Sequence, residues 1–301
     1  MKMLVTGGSG FIGSHLIDTL VQDGHAVINI DDCSADNDTF YINDKAENHK
    51  VSICNLETLL ELSKDCDFVF HLAAESRLQL ATKNPKRAIE VNVIGTLNVL
   101  ECCKQNNIKG LLFSSTSSIY GLTDKLPIYE TTSEDCLNPY ASTKYAAELL
   151  IRNYYTLYGV KSCIFRYFNV FGERAPSKGQ YAPVVGIFID QKNKKLPLTV
   201  IGKGTQKRDF IHVSDVVGAN VRSMELWDTV PELFTCTPFN IGSAKDISII
   251  ELAKHISNDI VHIPARIGEA ENNLCSNDKF VKLTGWMPQI DILDWLKNHP
   301  S

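Results

Sequence analysis

No long run of lysine and arginine occurs in this 301-residue chain, and its 30 basic side chains are outnumbered by 35 acidic ones, for a formal net charge of −5. Nucleic-acid backbones are held by basic patches, so no nucleic-acid partner is expected, whereas a small anionic ligand needs only one or two placed arginines. No apolar run approaches the length of a membrane span, and no membrane association is expected. Nine cysteines are present, at 33, 54, 66, 102, 103, 136, 163, 236 and 275, without a CxxC pair or a Cys/His cluster of zinc spacing. No metal site is expected, and free thiols in a reducing compartment are the simplest account. The leader pattern of a cationic segment before an apolar core is missing ahead of Met1-Lys2-Met3-Leu4-Val5, which reads as a first strand. A cytoplasmic protein is the expectation. Repeats and low-complexity segments are also lacking.

What is there is an alternation of short apolar runs with amphipathic stretches, the pattern of βαβ units and a parallel sheet. Residues 3–6, 26–31, 68–72, 110–115 and 162–169 read as buried strands, and 13–23, 85–105 and 140–158 have helical periodicity. The fold class expected is α/β: a Rossmann-type doubly wound parallel sheet over residues 1–170, then a smaller α/β substrate-binding domain over 171–301. Elements of the second part are free to return to the first sheet. Within it, 246–258 reads as a helix, and the tail 277–298 looks helical around Gly285-Trp286-Met287-Pro288.

Thr6-Gly7-Gly8-Ser9-Gly10-Phe11-Ile12-Gly13 follows the first strand and opens the first helix. Gly7, Gly10 and Gly13 would give a tight turn, close approach to a pyrophosphate and close helix–strand packing, with Phe11 and Ile12 in the same first turn. Asp31 and Asp32 end the second strand about twenty residues on, where an acid holds ribose hydroxyls and repels a 2′-phosphate. No Arg follows them, so NAD is preferred to NADP. The alternative is that the two aspartates cap a turn. Asn55 and Leu56, after the third apolar run, are candidate adenine contacts. Leu72, Ala73 and Ala74 end the next strand and leave room for a cofactor, while His71 beside them is better read as a packing histidine.

Tyr140-Ala141-Ser142-Thr143-Lys144 places a phenol and an ammonium four residues apart in what reads as the first turn of a helix. Positions i and i+4 share a helix face, so the Lys144 charge is expected beside the Tyr140 oxygen, lowering its pKa toward neutrality. Alone, this spacing is the usual pattern of a core ring beside a solvated charge.

Together these motifs resemble the extended short-chain dehydrogenase/reductase superfamily, in its nucleotide-sugar epimerase branch typified by UDP-galactose 4-epimerase. The resemblance spans nearly the whole chain: TGGSGFIGSHL at the start, HLAAE at 71–75, Asn92-Val93-Ile94-Gly95-Thr96, FSSTSSIYG at 113–121, YASTK at 140–144, RYFNVFG at 166–172, RDFIHVSDV at 208–216 and LTGW-P at 283–288. It implies Tyr140 as general base or acid, Lys144 as the nicotinamide-ribose ligand, Thr116 as the hydroxyl bonded to the reacting sugar oxygen, and NAD as cofactor. Asn92 and Phe168 are carried over as cofactor neighbours. Related 4,6-dehydratases have Thr-Asp-Glu where this chain has Thr116-Ser117-Ser118, because eliminating water needs a further acid and base. UDP-glucuronate decarboxylases of the branch keep a Glu where Ser118 stands. The remaining set suits oxidation and re-reduction of one carbon, hence 4-epimerisation of a UDP-hexose through a transient 4-keto sugar.

By the same resemblance Arg208 and Arg266 grip the nucleotide diphosphate, Asn169 binds it too, and Thr199, Val200 and Ile201 border the uracil and ribose. Taken singly, each arginine also reads as a surface charge. Val184 opens the apolar pair capping the uridine site, where relatives often have a following Pro and this chain has Gly186. Asn55 replaces the usual Asp. Asn273 falls where a large Tyr confines relatives to plain hexoses, so N-acetylhexosamines are expected as substrates beside UDP-glucose and UDP-galactose. Apolar residues on 85–105 and 140–158 imply a homodimer through paired helices, or else they pack only on the sheet. Competing readings are an epimerase of a uronic acid or pentose sugar, for which Arg77 would suit an acidic group, another NAD-dependent nucleotide-sugar enzyme, and an idle NAD-binding regulator. The usual mark of the last is loss of the Tyr or Lys, and both are intact.

Overall fold

The computed structural model of the chain describes residues 1–35, 40–177, 182–264 and 272–298. Strand β1 (Lys2–Thr6) is buried on both faces from Met3 onward, which is why it reads as a continuous apolar run. It turns through glycines into helix α1 (Phe11–Gln22), and β2 (Ala26–Ile30) and β3 (Glu47–His49) extend the sheet to one side. After helix α2 (Leu56–Leu62) the chain crosses β1 and adds β4 (Phe68–His71) on the other side. This reversal opens a crevice at the carboxyl ends of the strands, where α/β sheets bind ligands.

Helices α3 (Leu78–Lys83), α4 (Pro85–Ile89) and α5 (Thr96–Gln105) follow, the last two joined by a π-helical turn, Glu90–Gly95. The expected helix over 85–105 is thus continuous but locally widened. β5 (Gly110–Thr116), helix α6 (Pro139–Tyr158) and β6 (Ser162–Tyr167) complete the first half. The ends of α6 are set locally: Asn138 caps the Ala141 N–H, Pro139 fills the first position, and Gly159 closes the helix in the left-handed region at φ 71°. The expected strand 162–169 breaks at Phe168, after which β7 (Asn169–Phe171) joins a different sheet.

Beyond it come α7 (Val184–Asn193), β8 (Leu198–Ile201), β9 (Lys207–His212), α8 (Val213–Glu225) and β10 (Thr235–Ile241). β10 does return to the first sheet, parallel to β6, giving the all-parallel order β10-β6-β5-β4-β1-β2-β3. Helices α1 and α8 cover one face, and α2, α5 and α6 cover the other, which makes the sheet doubly wound in the Rossmann manner. The expected helix 246–258 begins later than its periodicity suggests. Asp246–Ser248 form β11, antiparallel to β9, because the Ser248 side chain caps α9 (Ile249–Ile256) at the Glu251 N–H. β12 (Ile260–Ile263) pairs with β8. The tail holds two helices, α10 (Asp278–Thr284) and α11 (Ile292–Asn298), split where Gly285 adopts φ 67°. A separate core of α7, β8, α9 and α11 side chains supports this smaller part. Among the described residues no helix is long and apolar enough to cross a membrane.

A buried ion pair locks α6 onto the sheet. Arg166 on β6 donates from Nη2 and Nε to the two Glu148 oxygens at 2.7 and 3.0 Å, and Ser115 on β5 donates to Oε1 at 2.6 Å. Neither charged side chain has any exposed surface. Removing one partner of such a pair leaves a buried charge, at a cost of about 3 kcal/mol. Glu148→Ala is therefore expected to lower the unfolding free energy by about that much in urea denaturation followed by circular dichroism. A loss below about 1 kcal/mol would contradict this assignment.

Candidate active site

A cavity of about 1190 Å³ runs along the carboxyl ends of the central strands and continues over β8 and β9. At one end lies the glycine turn. Gly7 adopts φ 72°, and a β-carbon there would stand 2.6 Å from the Ala73 nitrogen, so the turn is pressed against the strand β4 exit. A β-carbon on Gly13 would meet the Gly7 oxygen at 2.2 Å. Gly10 meets nothing nearer than 3.4 Å, so its bare α-carbon leaves cavity space. Helix α1 has no side-chain cap and no acid in its first turn, which leaves its first N–H groups for an anionic ligand. Gly7, Gly10, Phe11, Ile12, Gly13, Asp31, Asp32, Leu72, Ala73 and Ala74 all line this end. Asp31 accepts from the Ser9 and Cys33 N–H groups at 3.0 and 2.9 Å, and burial raises its carboxyl pKa. The glycine cradle, the uncapped helix and the acid after β2 fit a dinucleotide.

Sequence reasoning missed Arg87, which lines the same end and lies 3.4 Å from Asp32 and 3.4 Å from Glu90. It sits 55 residues beyond Asp32 in the chain, so no local pattern reveals it. Two carboxylates share this one guanidinium, which keeps the end unsuited to a 2′-phosphate.

His71 is a packing residue with fully assigned partners. Thr96 donates its hydroxyl to the Asn92 carbonyl at 2.7 Å, so it accepts from His71 Nε2 at 3.0 Å. Nδ1 then accepts from the Thr6 hydroxyl at 2.7 Å, and Thr6 Oγ1 accepts from the Ala73 N–H at 3.3 Å. Burial, helped by the Lys144 charge, pushes the His71 pKa down to about 3 and keeps the ring neutral. Asn92, on the π-turn, holds the Glu75 backbone from both sides, at 2.7 Å to N and 3.1 Å to O, and donates to Thr143 Oγ1 at 2.9 Å. Its polar atoms are spent on the frame and do not reach the cavity.

Tyr140 and Lys144 both line the cavity from the first turns of α6, the Lys144 ammonium 4.1 Å from the Phe113 ring centroid. Burial pushes Lys144 down to about 7, opposed by the Glu148 charge. Burial also raises the Tyr140 pKa, opposed only by a hydrogen bond with Thr116. This corrects the expectation from spacing: the two groups do share a face, but burial sets the direction of the Tyr140 shift and the lysine does not lower it. Thr116 itself is tucked behind the wall, its Oγ1 3.1 Å from both the N and Oγ of Ser118. Ser117 and Ser118 form the lining there.

At the far end Asn169, Val184, Thr199, Ile201, Arg208 and Asn273 line the cavity, joined by Phe210, which sequence reasoning overlooked. Of the remaining expected residues, Asn55, Leu56, Asn92, Phe168, Thr116 and Val200 do not line it. Asn55 is exposed and caps α2 by accepting the Thr58 N–H at 3.1 Å, while Val51 and Ile53 face the cavity instead. Val200 points into the core because side chains alternate along β8. Phe168 packs against Tyr120 in a small internal cluster. Arg266 lies outside the described residues.

A glycine-cradled dinucleotide end joined to a Tyr/Lys helix defines a dinucleotide-dependent enzyme of the short-chain dehydrogenase/reductase type. More narrowly, the chain belongs to the NAD dependent epimerase/dehydratase family, whose model matches residues 3–242, and NAD is its cofactor. It is similar to a solved UDP-glucose 4-epimerase from Thermotoga maritima with UDP-glucose, at 32% identity and TM-score 0.91, covering 99% of this chain and 96% of that one. It is also similar to a UDP-N-acetylglucosamine 4-epimerase from Methanobrevibacter ruminantium in complex with UDP-N-acetylmuramic acid, at 30% identity and TM-score 0.89, covering 98% and 96%. A third is a UDP-glucuronic acid 4-epimerase from Bacillus cereus with UDP-glucuronic acid and NAD, at 27% identity and TM-score 0.88, covering 99% and 97%.

If Lys144 holds the nicotinamide ribose through its charged form, NAD affinity should fall as pH rises through the folded-state value of about 7, since only the protonated amine is the stronger donor. Fluorescence titration of the NAD-free protein between about pH 6 and about pH 9 should show this decline, and Lys144→Met should abolish it. A flat wild-type profile would remove Lys144 from that contact.

Proposed function

We propose that the protein is an NAD-dependent UDP-sugar 4-epimerase that inverts one hydroxyl-bearing carbon through a transient 4-keto sugar. The observation that carries this reading is the composition of the wall beside Tyr140: strand β5 ends in Thr116 and continues into Ser117-Ser118, and among the described residues no carboxylate belongs to that segment of the wall. Of the acids among the described residues that line the cavity, Asp31 and Asp32 follow β2 at the glycine-turn end, and Glu75 follows β4. Dehydration or decarboxylation needs a further acid–base group at the β5 end, whereas inversion at one carbon needs a single proton acceptor that later returns its proton.

NAD, when bound, supplies reversible hydride chemistry and a positive ring near the phenol. Tyr140 takes the proton from the 4-hydroxyl, and the same phenol gives it back after the keto-sugar has turned its other face. Thr116 acts through its hydrogen bond on Tyr140 and its two contacts to Ser118, which hold the phenol and the wall in register. Lys144 holds the nicotinamide ribose beside Tyr140. Arg208 and Asn169 hold the diphosphate, with Arg266 as the second arginine, and Val184, Thr199 and Ile201 border the uridine. Asn273 leaves room for an acetamido group where a Tyr would not. A second reading, an acidic sugar, is favoured by Arg77, which also lines the cavity.

The protein acts as a homodimer on this reading. Ile89, Ile94, Leu149 and Tyr155 are exposed at 51%, 46%, 43% and 37% on neighbouring helices, an apolar face of the kind that pairs with its own copy. All nine cysteines are free, which suits a reducing, cytoplasmic setting.

Incubation with a panel of UDP-sugars and no added cofactor should convert each accepted sugar to its 4-epimer, with UDP-N-acetylglucosamine among them. Net accumulation of reduced nicotinamide would contradict epimerisation, and conversion of UDP-glucuronic acid alone would select the acidic reading. Tyr140→Phe should lose at least about a hundredfold in turnover with an unchanged circular-dichroism spectrum. Light scattering should give twice the chain mass, and Leu149→Glu should give a monomer. A monomeric wild type would refute the dimer.

A further inference from the structure

One fully buried acid takes no part in the chemistry above. Asp209 on β9 receives four donors: its Oδ1 accepts the Ser243 N–H at 2.7 Å and the Ser243 hydroxyl at 2.8 Å, and its Oδ2 accepts the Ala244 N–H at 3.0 Å and the Cys275 N–H at 3.1 Å. Its main chain is tied as well. The Asp209 N–H donates to the Asn273 carbonyl at 2.8 Å, and its carbonyl accepts from Asn169 Nδ2 at 2.7 Å. Alternation along β9 sends the neighbouring Arg208 and Phe210 to the cavity and Asp209 to the opposite face.

We propose that Asp209 is the positioning residue of the nucleotide-sugar end of the cavity, a carboxylate knot that fixes Arg208, Asn169 and Asn273 relative to the catalytic sheet. The inference rests on the UDP-sugar reading. Ser243 and Ala244 follow β10 after Gly242, and β10 is bonded to β6 in the same sheet as the wall beside Tyr140. The knot therefore joins the two halves of the site at the level of main-chain atoms. Close approach is built in: a β-carbon on Gly242 would stand 2.7 Å from Cys275 Cβ and 3.2 Å from Asp209 Oδ1. Ala244 adopts φ 59°, a left-handed conformation unusual for alanine, which its bond to the carboxylate holds in place. A carboxylate is required because all four partners donate, so an amide of the same shape would turn its NH2 toward donors on one side.

The test is steady-state kinetics with UDP-glucose, together with the NAD content of the purified protein. Asp209→Asn should raise KM by about tenfold or more, the scale of one hydrogen bond to a charged group, while kcat and NAD content stay near wild type. Ser243→Ala removes one donor without placing a new one, and should raise KM by about threefold. Ser243→Thr, which keeps the hydroxyl, should restore it. The serine pair decides the question if Asp209→Asn does not fold. A fall in melting temperature with KM unchanged in the serine variants, or a loss confined to kcat or to NAD content, would overturn the positioning role. A wild type that turns over no UDP-sugar would overturn the functional reading and this inference with it. An active wild type beside unchanged variants would overturn the inference alone.

Discussion

The site depends on one buried ion pair. Arg166 and Glu148 meet with no exposed surface, and Ser115 adds a hydroxyl, so helix α6 is pinned to two adjacent strands at a single rotation and height. Glu148, Lys144 and Tyr140 are spaced four residues apart on α6, and once Glu148 is fixed the other two must fall on the sheet side, one and two turns nearer the carboxyl edge. A second tie comes from the widened turn before α5, where Asn92 bonds Thr143 and the Glu75 backbone at once. Slippage of α6 would break polar contacts that no water could replace in so dry a place. The positions of Tyr140 and Lys144 are thus consequences of the polar contacts that hold helix α6 to the sheet.

Burial makes these groups useful and also restrains them. The same dry wall that strengthens local fields pushes Lys144 down to about 7 and holds the Tyr140 phenol above its ordinary range. On the reading proposed above, a positive nicotinamide ring beside Tyr140 would favour its phenolate.

Much of this was legible in the chain. Glycines 7, 10 and 13 announce the cradle because their roles are local, and Tyr140 and Lys144 announce a shared face because helical spacing is local too. The apolar runs located the central strands, since strands buried on both faces carry a dense signal. Less legible were Glu47–His49 and Asp246–Ser248, strands of three residues that are polar but for Ile247 and whose existence depends on a partner strand. Asn55 read as a ligand contact because nothing local separates a contact from a helix cap. Arg87 and Asp209 act through partners 55 and 34 to 66 residues away, distances at which no periodicity speaks. The sign of the Tyr140 shift also needed the fold, because spacing reports neighbours and not solvent.

The central claim is that one carbon is oxidised and re-reduced within a single closed site. UDP-glucose carrying deuterium at C4, mixed with unlabelled UDP-galactose and excess free NAD, tests it by mass spectrometry and NMR of the equilibrated sugars. Deuterium should remain at C4 of the product, with none exchanged to the unlabelled sugar, to solvent or to the free nicotinamide pool. Label moved to another carbon, passed to the unlabelled sugar or washed out into water would mean that the hydride taken from C4 is not returned to the same carbon of the same molecule, and would contradict the account.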